Sequence, residues 1–342
     1  MIIAVPATLA ALAATLVGFL AYVYLKYGRI IARIFEESPT FMPLRVPAEV
    51  GGEDVRFRAA DGLNLVGTYL PHRAARRVGV VVFAHEYLSD RWSYRPYADS
   101  LRDLGFDLFT FDARNHGESD AMSGYSPLQW TSDLETMDLR AALAYLRSRP
   151  DGDPAGVGLY GISRGGSAAL CVAGKDMGVW GVVTDGAFST RGTMLFYTLR
   201  WAEIYVTRLA FWAMLPTTIW KFAGWAGRHW SRRKSGRRYP DVDRAASRLA
   251  PRPWLMIHGG TDNYIKPETA KALFAHAGEP KELWIVPKAK HNRCREVDPQ
   301  AYRAKVEGFF RRYAPRRLAE VGESASEVEG GAVAVAASII NG

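Results

Sequence analysis

Cysteine is nearly absent from this chain: Cys171 and Cys294 are the only two among 342 residues. A disulfide framework is therefore excluded, and no Cys or His spacing resembles a zinc site. No internal repeat occurs, which excludes solenoid and propeller architectures. Charge is missing altogether from Ile2 to Leu25. Those 24 residues exceed the ~20 needed to cross a ~30 Å hydrocarbon core. The stretch also lacks the basic leader expected of a cleaved signal peptide. Tyr22, Tyr24 and Tyr27 stand where an interfacial aromatic belt belongs, and Lys26, Arg29 and Arg33 follow. These features predict a retained single-pass anchor over residues 1–28. The basic flank predicts a cell-membrane protein whose large domain is cytoplasmic.

Acidic residues are scarce in one further region. Between Arg191 and Arg244 eleven Lys and Arg face three acids, an excess of eight out of a formal net charge of +9. Elsewhere the composition, 48% hydrophobic and 23% charged, is that of a globular protein with a sizeable core. After a connector at 29–53, punctuated by Pro39, Pro43 and Pro47, strand-like and helix-like runs alternate. Val55–Arg58 and Leu63–Leu70 flank Asp61-Gly62, a hairpin signal. Val78–Phe83, Phe106–Phe111, Gly156–Tyr160, Trp180–Thr184, Trp254–His258 and Glu282–Val286 read as short buried strands. Helical patterns cover Tyr94–Leu104, Pro127–Arg147 with Ser126 as its cap, Ser163–Ala173, Pro267–Ala277 and Gln300–Tyr313. A hairpin followed by alternating strands and helices predicts an α/β fold: a mostly parallel eight-stranded sheet with helices on both faces, over 54–313. Residues 314–342, rich in Ala, Glu, Gly and Ser without periodicity, read as a disordered tail.

The chemistry is concentrated in Gly161-Ile162-Ser163-Arg164-Gly165, a G-x-S-x-G between a predicted strand and a predicted helix. Such a turn holds the serine hydroxyl at its tip, beside N–H groups of a helix N-terminus. Serine needs a base, and the base needs an orienting acid. Asp262 follows the Trp254–Ile257 strand and His291 follows the Leu283–Val286 strand. Both positions are where catalytic groups of parallel sheets stand. Asp185, after Trp180–Thr184, is a rival acid. His85 and His116 read as loop-shaping residues, and His72, His229, His258 and His276 carry no assigned role.

With Ser, Asp and His in this order, the chain resembles the α/β-hydrolase superfamily over Val55 to Tyr313. Asp112-Ala113-Arg114-Asn115-His116-Gly117-Glu118-Ser119 is similar to the D-x-R-G-x-G-x-S turn of many members, altered at Asn115-His116. Anchor plus single domain is similar to the membrane-anchored Bem46-like serine hydrolases. The resemblance implies Ser163 as nucleophile, His291 as base and Asp262 as its partner, with an oxyanion hole from the N–H groups of Arg164 and Tyr87. Relatives begin the latter loop His-Gly, whereas this chain has His85-Glu86-Tyr87.

Between 190 and 244 the alternation stops. Five of the ten tryptophans, Trp201, Trp212, Trp220, Trp225 and Trp230, lie there, followed by the basic run Arg232–Arg238. In the resembled fold this position holds a lid. Its aromatics either pack it onto the main domain or, with the basic run, meet the bilayer. A second crossing at Leu209–Gly227 would separate Ser163 from Asp262 and His291, so it is excluded. The expected activity is hydrolysis of an ester or thioester with an apolar acyl group through an acyl-enzyme, on a small-molecule or lipid-like substrate. No cofactor, metal or nucleic-acid partner is implied. The same triad also suits carbon–carbon bond hydrolysis or acyl transfer, and a non-catalytic lipid-binding adaptor is the competing class.

Overall fold

Runs of Val, Ile, Leu and Phe too short for helices become strands buried on both faces. The computed structural model describes residues 4–37, 42–49, 51–206 and 217–315. A long N-terminal helix comes first: α1 (Ala4–Tyr22) passes through a π-type turn (Val23–Tyr27) into α2 (Gly28–Glu36). The strands are β1 (Glu53–Arg58), β2 (Asn64–Leu70), β3 (Gly79–Ala84), β4 (Phe106–Phe111), β5 (Val157–Ile162), β6 (Val179–Asp185), β7 (Trp254–Gly259) and β8 (Lys281–Val286). They form one sheet in the order β1-β2-β4-β3-β5-β6-β7-β8. Only β1–β2 and β2–β4 pair antiparallel. The eight-stranded, mostly parallel α/β-hydrolase architecture expected from the sequence is thus the observed one. Glu53, Asp54, Arg56 and Arg58 line the edge strand β1, where charge discourages pairing with another chain.

The period-2 alternation of β3 divides the core. Val80 and Val82 face one hydrophobic layer, Val81 and Phe83 the other. After the short α3 (Arg95–Ala98), α4 (Asp133–Ser148) and α5 (Arg164–Ala173) cover the first layer. α6 (Thr190–Val206), α7 (Thr217–Ser235) and α8 (Val242–Ala246) lie between β6 and β7. α9 (Pro267–Ala275) joins β7 to β8. α10 (Cys294–Val297) precedes α11 (Pro299–Tyr313), whose Tyr302, Val306 and Phe310 fill the second layer.

The sequence reading needs three corrections here. The helix expected over Pro127–Arg147 begins only at Asp133, because Ser132 and Glu135 form a capping box there. Residues 127–132 are left as coil, and Trp130 stacks on Phe35 of α2 with ring centroids 4.7 Å apart. The stretch expected as one helix over Tyr94–Leu104 is α3 flanked by 3₁₀ turns (Arg91–Tyr94 and Asp99–Leu104). The connector expected from residue 29 is helical through Glu36. Residues 207–216 of the insertion and the tail from 316 lie outside the described residues.

α2 is amphipathic and docks on α7. A β-carbon on Gly28 would lie 2.8 Å from Trp230 Cδ1, and one on Gly227 would lie 2.3 Å from Ile31 Cγ2, so the two glycines permit the close approach. Trp230 Nε1 donates to the Tyr24 carbonyl at 3.0 Å, the Arg29 guanidinium lies 4.6 Å from the Trp230 ring, and Lys234 pairs with Glu36 at 2.6 Å. By contrast, Leu9, Leu12, Leu16 and Val17 of α1 are exposed.

Candidate active site

Ser163 sits at the tip of the turn from β5 to α5 with φ of +51°, a strained value for a residue with a side chain. The flanking glycines are sterically required. A β-carbon on Gly161 would lie 2.6 Å from the Gly165 carbonyl, and one on Gly165 would lie 2.2 Å from the Ala84 carbonyl oxygen. Neither neighbour is a side chain that swings away. The turn is further pinned by the Ser163 N–H, which donates to the Asp185 carbonyl at 2.7 Å.

The structure brings Ser163, His291 and Asp262 together. His291 Nδ1 lies 2.6 Å from Asp262 Oδ2, and Ser163 Oγ lies 2.8 Å from His291 Nε2. A carboxylate only accepts, so Nδ1 carries the proton and Nε2 accepts from the serine hydroxyl. Asp262 Oδ1 accepts from the N–H groups of Tyr264 and Ile265, each at 2.8 Å. Burial pushes the Asp262 carboxyl up, but the His291 hydrogen bond, the nearby imidazoles and the Ile265 N–H outweigh it, leaving the acid below its ordinary range. The orienting group therefore stays charged when the imidazole takes a proton.

Asp185, the rival acid, is fully buried at the end of β6. Its Oδ2 accepts from the Tyr302 hydroxyl at 2.9 Å, and burial raises it to about 6. It braces the elbow through its backbone, while Asp262 holds the histidine.

Tyr87 follows β3 by three residues. Its hydroxyl donates to the Pro127 carbonyl at 3.3 Å, and the Arg164 guanidinium lies 5.3 Å from its ring. The two residues expected to form the oxyanion hole are thus neighbours beside the elbow. Arg164 is itself tied down, donating to the Leu128 carbonyl at 2.9 Å and to His116 Nε2 at 3.0 Å. His85 accepts from the Ala113 N–H at 3.1 Å through Nε2, and its Nδ1–H donates to the Glu86 carbonyl at 2.7 Å. Burial and the Arg164 charge depress both histidines, His85 to about 4, so they stay neutral and hold loops. Glu86, next to His85 in the loop after β3, is buried and raised by that burial to about 7.

Sequence reasoning missed Tyr264, Trp130 and His258. The Tyr264 ring packs 5.3 Å from the His291 ring. His258 Nε2 donates to the Ile265 carbonyl at 2.8 Å and lies 3.4 Å from Asp262 Oδ2. Their proximity to Asp262 in sequence was the available signal. Trp130 offered none, since its partner Phe35 lies far away in the chain.

Residues 81–305 match the signature of the alpha/beta hydrolase family. The chain belongs to that family. Among curated relatives, the uncharacterized protein YfhR of Escherichia coli (strain K12) is 26% identical over 250 residues, covering 72% of this chain and 75% of YfhR. Thiohydrolase aneE of Aspergillus aculeatus is 31% identical over 125 residues, 36% of this chain and 37% of aneE. The Pyrococcus furiosus esterase Pf2001 superposes with a TM-score of 0.58 at 22% identity, covering 82% of this chain and all of that one. This last likeness concerns the fold. Family membership supports hydrolase chemistry in general.

Proposed function

We propose that this alpha/beta hydrolase is a serine hydrolase that cleaves an ester or thioester with an apolar acyl group through an acyl-enzyme. The observation that carries the reading is the continuous Ser163–His291–Asp262 relay at 2.8 and 2.6 Å. In the first half-reaction the Ser163 oxygen attacks the acyl carbonyl while its proton passes to His291 Nε2. His291 then returns that proton to the departing alcohol or thiol, and in the second half-reaction it activates water against the acyl-enzyme. Asp262 holds the tautomer and stabilises the imidazolium. The N–H groups of Arg164 and Tyr87 receive the oxyanion, each worth about 10²–10³ in rate in such sites.

The likeness to thiohydrolase aneE keeps thioesters within the proposed substrate class. Residues Ala7–Glu36 form, among the described residues, one helix long and apolar enough to cross a membrane, a property shared by anchors and signal sequences. The same proposal treats it as an anchor, in keeping with Bem46-like organisation, with the catalytic domain on the cytoplasmic side and the 190–244 insertion as a lid. A fluorophosphonate probe tests the nucleophile. Labelling of the wild type that disappears in Ser163→Ala is expected, and labelling that persists in that variant overturns the assignment.

A further inference from the structure

A cavity of about 260 Å³ lies one side chain beyond the triad. Tyr264, packed on His291, forms part of its wall, and Trp130, Met194, Ile31, Ile34 and Phe35 form the apolar remainder. Three of those six side chains belong to α2, the direct continuation of the exposed apolar helix α1. The N-terminal helix is therefore more than a tether, because its last turns wall a cavity that shares Tyr264 with the catalytic histidine. The wall also holds polar atoms without hydrogen-bond partners: Oε1 of the buried Gln129, whose Nε2 donates to the Glu37 carbonyl, and the Tyr264 hydroxyl. An occupant with an apolar chain and a polar end suits that lining.

Position then narrows the substrate. With the anchor ending at residue 28, Ile34 lies six residues further along, about 9 Å at 1.5 Å per residue. The headgroup zone is only about 5–7 Å thick on each side, so the cavity stands clear of the bilayer. A substrate must leave the membrane to fill it. Withdrawing one chain costs half as much buried hydrocarbon as withdrawing two.

The geometry points to this cavity as the acyl-chain site, and to a membrane-derived single-chain amphiphile, a monoacyl ester or thioester, as the substrate. This rests on the serine-hydrolase reading above. The full chain in detergent micelles is assayed with p-nitrophenyl acetate and p-nitrophenyl octanoate. Ile34 is partly exposed, so Ile34→Trp and Ile34→Asp test the site by bulk and by charge with little demand on folding. Each is expected to lower the octanoate-to-acetate ratio of kcat/KM by about tenfold, and Ile34→Leu to restore it. A ratio that stays at the wild-type value in both variants, or a parallel loss of both esters, overturns the cavity assignment. Persistent fluorophosphonate labelling of Ser163 then leaves the hydrolase reading standing, whereas a wild type that never labels ends both. Monoacylglycerol is expected to be cleaved faster than diacylglycerol of equal chain length, and the opposite order overturns the single-chain inference.

Discussion

Asp262 and Asp185 follow adjacent strands, yet it is Asp262 that hydrogen-bonds the histidine, while Asp185 accepts from Tyr302. Asp262→Asn leaves the shape intact but lets the imidazole adopt the wrong tautomer, so kcat is expected to fall roughly 10⁴-fold in ester hydrolysis. Asp185→Asn, which disturbs the hydrogen bonds that Tyr302 and Cys294 make to it, is expected to change kcat far less. Equal losses would show that the acid is misassigned. Glu86 gives a second residue-level expectation. Burial raises its folded value from 4.5 to about 7, so between those pH values the folded state holds a proton that the unfolded chain releases. Its contribution to stability therefore falls as pH rises from about 4.5 to 7 and stays low above that. The difference corresponds to about 3 kcal/mol. Glu86→Gln is expected to melt roughly 5 °C higher than wild type at pH 8, with the gap closing near pH 4.5. Melting curves across that range check it, and a gap independent of pH would refute the burial argument.

At the scale of elements, the strand–elbow–helix unit was readable because its requirements are local. Gly161 and Gly165 are where a β-carbon meets backbone, and Ser163 carries the strain. Gly165→Ala is expected to cost about 2–3 kcal/mol in chemical denaturation and to abolish fluorophosphonate labelling, since the Ala84 carbonyl has nowhere to go. The start of α4 was misread for an equally physical reason. Ser126-Pro127 satisfies the local rules for a helix start, and so does Ser132 with Glu135. What decides between them is Trp130, whose indole Nε1 donates to the Phe35 carbonyl at 2.7 Å and whose ring stacks on Phe35. A partner 95 residues away settles where the helix begins.

At the scale of the whole molecule, the N-terminal helix divides into two parts with different physics. α1 exposes its leucines, whereas Gly28, Ile31, Ala32 and Phe35 of α2 are buried. Removal of residues 1–22 is expected to shift the protein from the detergent phase to the aqueous phase in a detergent-partition assay, with thermal stability largely kept. Removal of residues 1–37 uncovers Trp130, Tyr239 and the α7 face. It is expected to lower stability by several kcal/mol, since each large apolar side chain left unburied costs about 1.5–3 kcal/mol. Equal melting temperatures for the two truncations would contradict the packing role of α2. The basic run of the insertion is likewise split. Arg232 and Arg233 are exposed, while Lys234 pairs with Glu36 and Arg237 lies 3.9 Å from the Tyr125 ring.

Patterns that repeat within a few residues were settled by the chain alone. These include the strands buried on both faces and the glycine-flanked serine, whereas Asp262 and His291 became candidates for its site through their places after later strands and the resemblance to the α/β-hydrolase superfamily. Such features depend on steric and hydrophobic preferences that each residue exerts on its near neighbours. Tertiary structure alone decided which acid meets His291, where α4 starts, and that the N-terminal helix walls a cavity together with Tyr264, the residue packed on His291. Each of those depends on which surfaces come within a few ångströms of one another, and that is a property of the folded packing rather than of any window of sequence.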